Sequence, residues 1–110
     1  GNQPTADEMR LAFARAMWMA NLAGTYGAKV IFTGPPPKDG LNPANAAFLV
    51  TYNDFVKSRL SGGYFIDLFG ILGNGAGGYA DGFTIDGTHP SEIGYQDILS
   101  KTTPVVTRML

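Results

Sequence analysis

A short apolar run that stops at three prolines sets the architecture of this chain: Lys29-Val30-Ile31-Phe32-Thr33-Gly34-Pro35-Pro36-Pro37. Residues 29–33 are rich in β-branched and aromatic side chains, which predicts a buried strand. Proline can continue neither a helix nor a central strand, so the strand is expected to end at Gly34. A polyproline ligand is the alternative for residues 35–37, but a rigid loop leaving the strand is the favoured interpretation.

A helical pattern precedes this strand. Thr5-Ala6-Asp7-Glu8 has the arrangement of a capping box, in which the Thr and Glu side chains bond free backbone N–H groups of the first turn. Apolar residues then recur at three- and four-residue spacing, at Met9, Phe13, Ala16, Met17 and Ala20. These features predict a helix over residues 6–22 that ends at Gly24 or Gly27.

A second helix and a second strand are predicted to follow. Asn42-Pro43 indicates the helix start, with Asn at the cap and Pro in the first turn. The apolar face of this helix consists of Phe48, Tyr52, Phe55, Val56 and Leu60. Gly62-Gly63 is expected to end the helix, and Tyr64-Phe65-Ile66-Asp67-Leu68 is predicted to form the second strand, with Asp67 capping the turn after it.

The remaining chain holds a loop and a final helix. Residues 73–82 are rich in glycine and lack the Lys and Ser/Thr partners of a phosphate-binding loop, which leaves a plain loop or a flexible lid. The final helix is predicted to open at Pro90 or Ser91, and Thr103-Pro104 is expected to restart it. Strands alternating with helices predict the α/β class with a parallel sheet. Two parallel strands are poorly stable alone, so residues 1–110 are expected to be one partial domain, the second half of a doubly wound fold.

The composition argues against several classes of function. The formal net charge is −1 and only 15% of residues are charged, without a basic run, which disfavours nucleic acid and anionic membranes as partners. The chain has no cysteine, which excludes disulfides, thiol catalysis and thiolate metal sites. No apolar run approaches the ~18 residues of a membrane span, so none is predicted.

The strongest chemical signal surrounds the single histidine, in Asp86-Gly87-Thr88-His89-Pro90. An Asp three residues upstream on a tight loop can accept a hydrogen bond from one imidazole nitrogen, which leaves the other nitrogen free to act as a general base. The pair would supply two groups of a Ser-His-Asp triad. The alternatives are that His89 is a polar loop residue and that Asp86 is an ordinary helix cap or turn residue.

A nucleophile to complete the triad is not evident. The serines are Ser58, Ser61, Ser91 and Ser100, and none follows Gly-Asp at the end of a strand. Ser91 is close to His89 in sequence, but its position favours the N-terminus of the final helix.

Four stretches of the chain resemble the C-terminal half of the SGNH (GDSL-type) hydrolases. Asp86-Gly87-Thr88-His89-Pro90 matches the last block of that family, and Gly94-Tyr95 follows it as usual. Residues 27–31, leading into the three prolines, resemble the fourth strand, and residues 64–69 resemble the strand before the Asp-His loop. The resemblance implies a flavodoxin-like, three-layer α/β/α sandwich and hydrolysis of acyl or acetyl esters of carbohydrates, lipids and related molecules.

The same resemblance implies roles for individual residues. His89 would be the general base and Asp86 the residue that orients it. Gly1-Asn2-Gln3 is similar to the tail of the family's Gly-x-Asn-Asp block, with Gln3 departing from the usual Asp, and Asn2 would then donate to the oxyanion. The Gly-Asp-Ser nucleophile would belong to a first half that these residues do not include. No metal or cofactor is implied.

Two functions follow as expectations. The first is a serine esterase that acts on a small-molecule or carbohydrate ester, in which a complementary N-terminal portion or chain, or a second copy, completes the sheet and the site. The alternative is a non-enzymatic binding or assembly module, adhesin-like, that retains the Asp-His block. A secreted or surface location is compatible with both. Trp18 and Met19, off the main face of the first helix, would contact the missing half or another subunit.

Overall fold

The structure is a computed structural model that describes residues 5–60 and 65–109. Its elements, in chain order, are the helix α1 (Ala6–Thr25), the strand β1 (Phe32–Thr33), the helix α2 (Pro43–Leu60), the strand β2 (Phe65–Ile66), the short helix α3 (Leu68–Leu72) and the helix α4 (Glu92–Met109). Helices therefore alternate with strands, as the sequence predicts, and the domain is of mixed α/β type.

The two strands form a parallel pair. Phe32 lies opposite Phe65, and Thr33 lies opposite Ile66. One further backbone bond extends the ladder, from the Gly34 N–H to the Ile66 carbonyl at 2.9 Å. The predicted parallel pairing is confirmed, and within residues 5–60 and 65–109 the sheet has two strands.

The strands differ from the predicted bounds, and Tyr64, the first residue expected in the second strand, lies outside the described residues. β1 contains only the last two residues of the expected 29–33 run. The expected second strand is wrong at its C-terminal end, because Leu68 is the first residue of α3. The reason is Asp67, whose carboxylate accepts from the Gly70 N–H at 2.9 Å and so caps α3 as soon as the strand ends. The predicted capping role of Asp67 is confirmed.

The first helix runs further than predicted and is stopped by Gly27. Thr5 caps it as the capping box requires, since the Thr5 hydroxyl accepts from the Glu8 N–H at 3.2 Å. The helix passes through Gly24 and ends at Thr25. Gly27 has a φ of 82°, a left-handed conformation that lets the chain leave the last turn without strain.

The predicted apolar face of α1 contacts α2. Phe13 meets Phe55 edge to face, with 5.6 Å between ring centroids, an arrangement that aromatic rings favour. α1 nevertheless has no fully buried residue. Its other side is also apolar and open to solvent, where Trp18 is 66% and Met19 60% exposed. One face of helix α1 therefore contacts α2, and a second apolar face remains exposed to solvent.

The tightest packing lies around α3 and α4. Leu72 is fully buried, and other buried apolar residues are Val56, Ile66, Phe69, Tyr79 and Met109. Gly94 lets the first turn of α4 approach closely, since a Cβ there would lie 2.9 Å from the Phe83 carbonyl and 3.4 Å from Leu72. Helix α4 is continuous through Pro104, so the expected restart at residues 103–104 is not a separate element. The carbonyl that Pro104 leaves free belongs to exposed Ser100, where water can satisfy it.

Candidate functional site

The candidate site is the tight loop of residues 84–90, part of the connection between α3 and α4, where Asp86 and His89 form a side-chain pair. The His89 Nδ1 atom lies 2.8 Å from the Asp86 Oδ2 atom. The ring is 73% and the carboxylate 54% exposed. In the neutral imidazole, an acceptor at Nδ1 favours the tautomer that carries the proton there, which leaves the lone pair on Nε2. No side chain of residues 5–60 and 65–109 bonds Nε2, so this nitrogen is open to a reacting group.

The second oxygen of Asp86 organises the backbone of the same loop. Oδ1 accepts from the Thr88 N–H and from the His89 N–H, both at 2.8 Å. These bonds form the Asx-type turn that an Asp at this position favours, so the ordinary turn role and the contact to His89 occur in one carboxylate. The backbone N–H of His89, the bond from its ring and the Thr88 N–H hold the pKa of Asp86 well below its usual range. Asp86 is therefore ionised wherever His89 could act as a base.

Thr84 braces the loop from inside. Its hydroxyl donates to the His89 carbonyl at 2.7 Å and accepts from the Gly87 N–H at 2.9 Å. Thr84 also pairs with Pro90 in an isolated antiparallel bridge. Gly87 has a φ of 82°, which a residue with a side chain would adopt only with strain. The loop is thus closed on itself around the Asp-His pair.

Two segments outside the loop hold it against the domain. The first is the segment that follows the three prolines after β1. There the Asp39 N–H donates to the Gly87 carbonyl at 2.9 Å. Lys38 adds a bond from its ammonium group to the Thr88 hydroxyl at 2.9 Å. From the glycine-rich segment, the Tyr79 hydroxyl donates to the Thr88 carbonyl at 2.9 Å. The proline exit of β1 therefore has a positional role beside the site.

The first turn of α4 fixes the other end of the loop. The Ser91 hydroxyl accepts from the Gly94 N–H at 3.2 Å, as an N-cap does, and donates to the Gly82 carbonyl at 2.6 Å. The Ser91 N–H also donates to the Phe83 carbonyl at 2.8 Å. The predicted placement of Ser91 at the helix start is confirmed, and both of its polar groups are engaged in structure.

The other candidate residues do not join the pair within the described chain. Ser58 and Ser100 lie on α2 and α4, and neither bonds His89. Asn2, predicted as the oxyanion donor, and Ser61 lie outside the described residues. Asp67 is ion-paired with Lys57 at 3.1 Å.

Sequence reasoning missed the groups that hold the loop in place. Thr84, Asp39 and Tyr79 bond the loop, but only Thr84 is near His89 in sequence. The Asp39 carboxylate accepts from the Tyr79 N–H across 40 residues of chain. A signal was available for Tyr79, since it is the aromatic residue of a glycine-rich segment. In the structure it is only 6% exposed. The segment around it is closed by a bridge between Gly73 and Tyr79.

The described part of the chain shows neither a cluster of metal-ligating side chains nor a membrane-spanning helix. Residues 5–60 and 65–109 bring together no group of three or more His, Asp or Glu side chains that could hold a metal ion. None of the helices in these ranges is both long enough and apolar enough to cross a bilayer.

No family model matches this chain, and neither a curated protein nor a solved structure matches it.

Proposed function

We propose that this chain supplies the Asp-His part of a serine ester hydrolase site of the SGNH type. The observation that carries the proposal is the Asp86–His89 pair, with 2.8 Å between Oδ2 and Nδ1 and an open Nε2. An imidazole held at Nδ1 by an ionised carboxylate is the arrangement that a general base in acyl transfer needs.

The proposed reaction uses each group in turn. A serine hydroxyl attacks the ester carbonyl while His89 Nε2 takes its proton, and the tetrahedral intermediate collapses as His89 returns that proton to the leaving alcohol. A water molecule then repeats the sequence on the acyl-serine. Asp86 remains ionised, keeps the proton on Nδ1 and stabilises the imidazolium. Asn2 would donate to the oxyanion, a contribution of about 3–4 kcal/mol for such a donor.

The serine is proposed to come from polypeptide outside these 110 residues, on an N-terminal portion or a complementary chain. In support, the Ser91 hydroxyl is engaged in capping, and Ser58 donates to the Phe55 carbonyl at 2.7 Å. A flavodoxin-like α/β/α sandwich is the corresponding fold, and its further strands would extend the two-stranded sheet.

Exposed apolar surface supports the need for further polypeptide. Within the described residues, large side chains at least 40% exposed are numerous on α1 and α4: Leu11, Trp18, Met19, Leu22, Ile93, Tyr95, Leu99 and Val106. A domain of this size seldom leaves so many uncovered. A complementary portion or a second copy would bury part of this surface. The substrate is proposed to be a small-molecule or carbohydrate ester.

The first test is native and intact mass analysis of the purified protein, followed by hydrolysis of p-nitrophenyl acetate by the assembly that is found. We expect a second polypeptide, or a longer parent chain, that bears a Gly-Asp-Ser segment. His89→Gln in that assembly should lower kcat about 10⁴-fold or more. Asn21→Gln, which introduces a glutamine at an exposed position of α1, is the control and should leave kcat unchanged.

Two outcomes would overturn the proposal. One is ester hydrolysis that persists in His89→Gln. The other is an assembly that contains a Gly-Asp-Ser segment, folds cooperatively and turns over no ester, a result that would favour the binding-module alternative.

A further inference from the structure

The peptide unit between Thr88 and His89 is bonded at both ends. Its N–H donates to Asp86 Oδ1 at 2.8 Å, and its carbonyl accepts from the Tyr79 hydroxyl at 2.9 Å. The next carbonyl, that of His89, accepts from Thr84 at 2.7 Å. A peptide plane held on both sides cannot rotate, so the direction of the Cα–Cβ bond of His89 is fixed by these contacts.

Tyr79 differs from the other two partners of this backbone, Asp86 and Thr84, in being anchored in the core. Its side chain is 6% exposed. Its N–H donates to the Asp39 carboxylate at 2.8 Å, and the next residue, Ala80, donates to the carbonyl of fully buried Leu72 at 2.9 Å. Asp86 and Thr84 move with the loop, whereas Tyr79 ties it to the body of the domain.

We propose that Tyr79 is a positioning residue, whose buried hydroxyl sets the orientation of the His89 ring through the Thr88 carbonyl. The inference rests on the proposed function, in which His89 is the general base. Asp39 contributes to the same positioning. Its carboxylate accepts from the Tyr79 N–H, and its own N–H donates to the Gly87 carbonyl at 2.9 Å.

The charge environment keeps Tyr79 able to donate. Burial, with the nearby carboxylates of Asp86 and Asp39, raises the pKa of the Tyr79 hydroxyl above its usual value. The hydroxyl therefore retains its proton throughout the range in which an ester hydrolase with a histidine base works, and the bond to Thr88 is present across that range.

Alternative roles make different predictions. If the hydroxyl only satisfies a buried carbonyl, its loss lowers stability and leaves the His89 ring unchanged. If it positions His89, its loss loosens the contact between Nδ1 and Asp86 and shifts the ring away from the Nδ1–H tautomer. Because His89 is the single histidine of these 110 residues, they contribute one set of nitrogen-15 ring signals, which His89→Gln identifies by its loss.

The experiment is Tyr79→Phe, which removes the hydroxyl and keeps the ring. The nitrogen-15 shifts of the His89 ring are followed from pH 4 to 9, and kcat and KM are measured on the assembly that hydrolyses ester. We expect a larger fraction of the Nε2–H tautomer, a kcat lowered about tenfold and an unchanged KM, since misalignment affects the proton transfer and not ester binding. Tyr52→Phe removes the hydroxyl from a half-buried tyrosine on α2 and should change neither tautomer nor kcat.

A second pair of variants covers the case in which Tyr79→Phe fails to fold. Asp39→Asn keeps an oxygen that accepts from the Tyr79 N–H and should retain the wild-type ring signals, whereas Asp39→Ala should shift them as Tyr79→Phe does. Ring signals that stay at their wild-type positions in both Tyr79→Phe and Asp39→Ala overturn the inference. The nitrogen-15 measurement needs no turnover, so a failure of the esterase proposal and a failure of this inference are distinguishable.

Discussion

Asp86 holds both the backbone and the ring of His89, with Oδ1 2.8 Å from the His89 N–H nitrogen and Oδ2 2.8 Å from Nδ1. One short side chain thus shapes the turn and sets the tautomer of the imidazole. The two roles are inseparable by truncation, because Asp86→Ala would remove the turn as well as the partner of the ring. A variant that keeps one oxygen is needed to separate them.

Asp86→Asn is that variant. We expect the remaining oxygen to preserve the turn, while the new amide donates to Nδ1 and forces the proton onto Nε2, which can then no longer act as a base. The expected loss in kcat for ester hydrolysis by the complete assembly is about 10⁴-fold. Asp81→Asn, at an exposed position in the same connection between α3 and α4, is the matched control and should stay within twofold of wild type. Comparable losses in both variants would contradict the assignment of Asp86.

The hydrogen bonds of the Thr84 hydroxyl are predicted to stabilise the loop around His89. Thr84→Val is nearly isosteric and removes the hydroxyl with its bonds to the His89 carbonyl and the Gly87 N–H, which leaves that N–H without its acceptor. We expect the free energy of local opening of the loop to fall by about 1–2 kcal/mol. Hydrogen exchange at the Gly87 and His89 amides should therefore be faster. Thr51→Val, whose hydroxyl only back-bonds to Ala47 within α2, should leave these rates unchanged. An unaltered exchange rate at the Gly87 amide in Thr84→Val would contradict a stabilising role for the Thr84 hydroxyl.

Acid should weaken the junction between β2 and α3. Burial by itself would raise the pKa of Asp67, but the Gly70 N–H, Lys57 and Asn53 outweigh it and leave the pKa lower than usual. The folded chain then binds the proton less readily than the unfolded chain. The stabilisation is complete above the unfolded-state pKa of about 3.9 and is lost as the pH falls through the lower folded value.

Urea unfolding between pH 6 and 2.5 measures this effect. The free energy of unfolding of the wild type should fall more steeply below pH 4 than that of Asp67→Asn, which has no carboxylate to titrate at this position. Asp81→Asn should retain the wild-type slope. Parallel curves for the wild type and Asp67→Asn would show that Asp67 does not contribute.

Replacement of Gly34 and of Gly24 by alanine should have opposite effects on stability. A Cβ at Gly34 would lie 2.6 Å from the Asn53 side-chain oxygen and 3.2 Å from the Phe65 ring. Gly34→Ala should therefore destabilise the domain by about 1–3 kcal/mol. Gly24 lies inside α1 with nothing within 4 Å of the corresponding position, so Gly24→Ala should stabilise by about 0.5–1 kcal/mol. Thermal unfolding of both variants measures the difference, and equal shifts would contradict the close packing of β1 on α2.

The sequence by itself determined the features that depend on neighbouring residues. Helix starts at Thr5 and Ser91, the cap at Asp67 and the contact between Asp86 and His89 all join positions three residues apart, so side-chain chemistry and spacing predict them. The alternation of helical and strand patterns likewise predicted a parallel pair, because consecutive parallel strands need a crossover between them. The roles of Asp86 and His89 in catalysis remain predictions.

The tertiary structure alone decided how long the strands are and what holds the candidate site. A strand extends only as far as its partner does, and Asp67 turns the chain into α3 after two paired residues. The supports of the His89 loop come from Asp39 and Tyr79, which are 40 residues apart and bond each other through a backbone N–H. Each of these contacts has a backbone group as at least one partner, and nearly every residue offers such a group, so the sequence does not show which one is chosen; only the folded chain selects it.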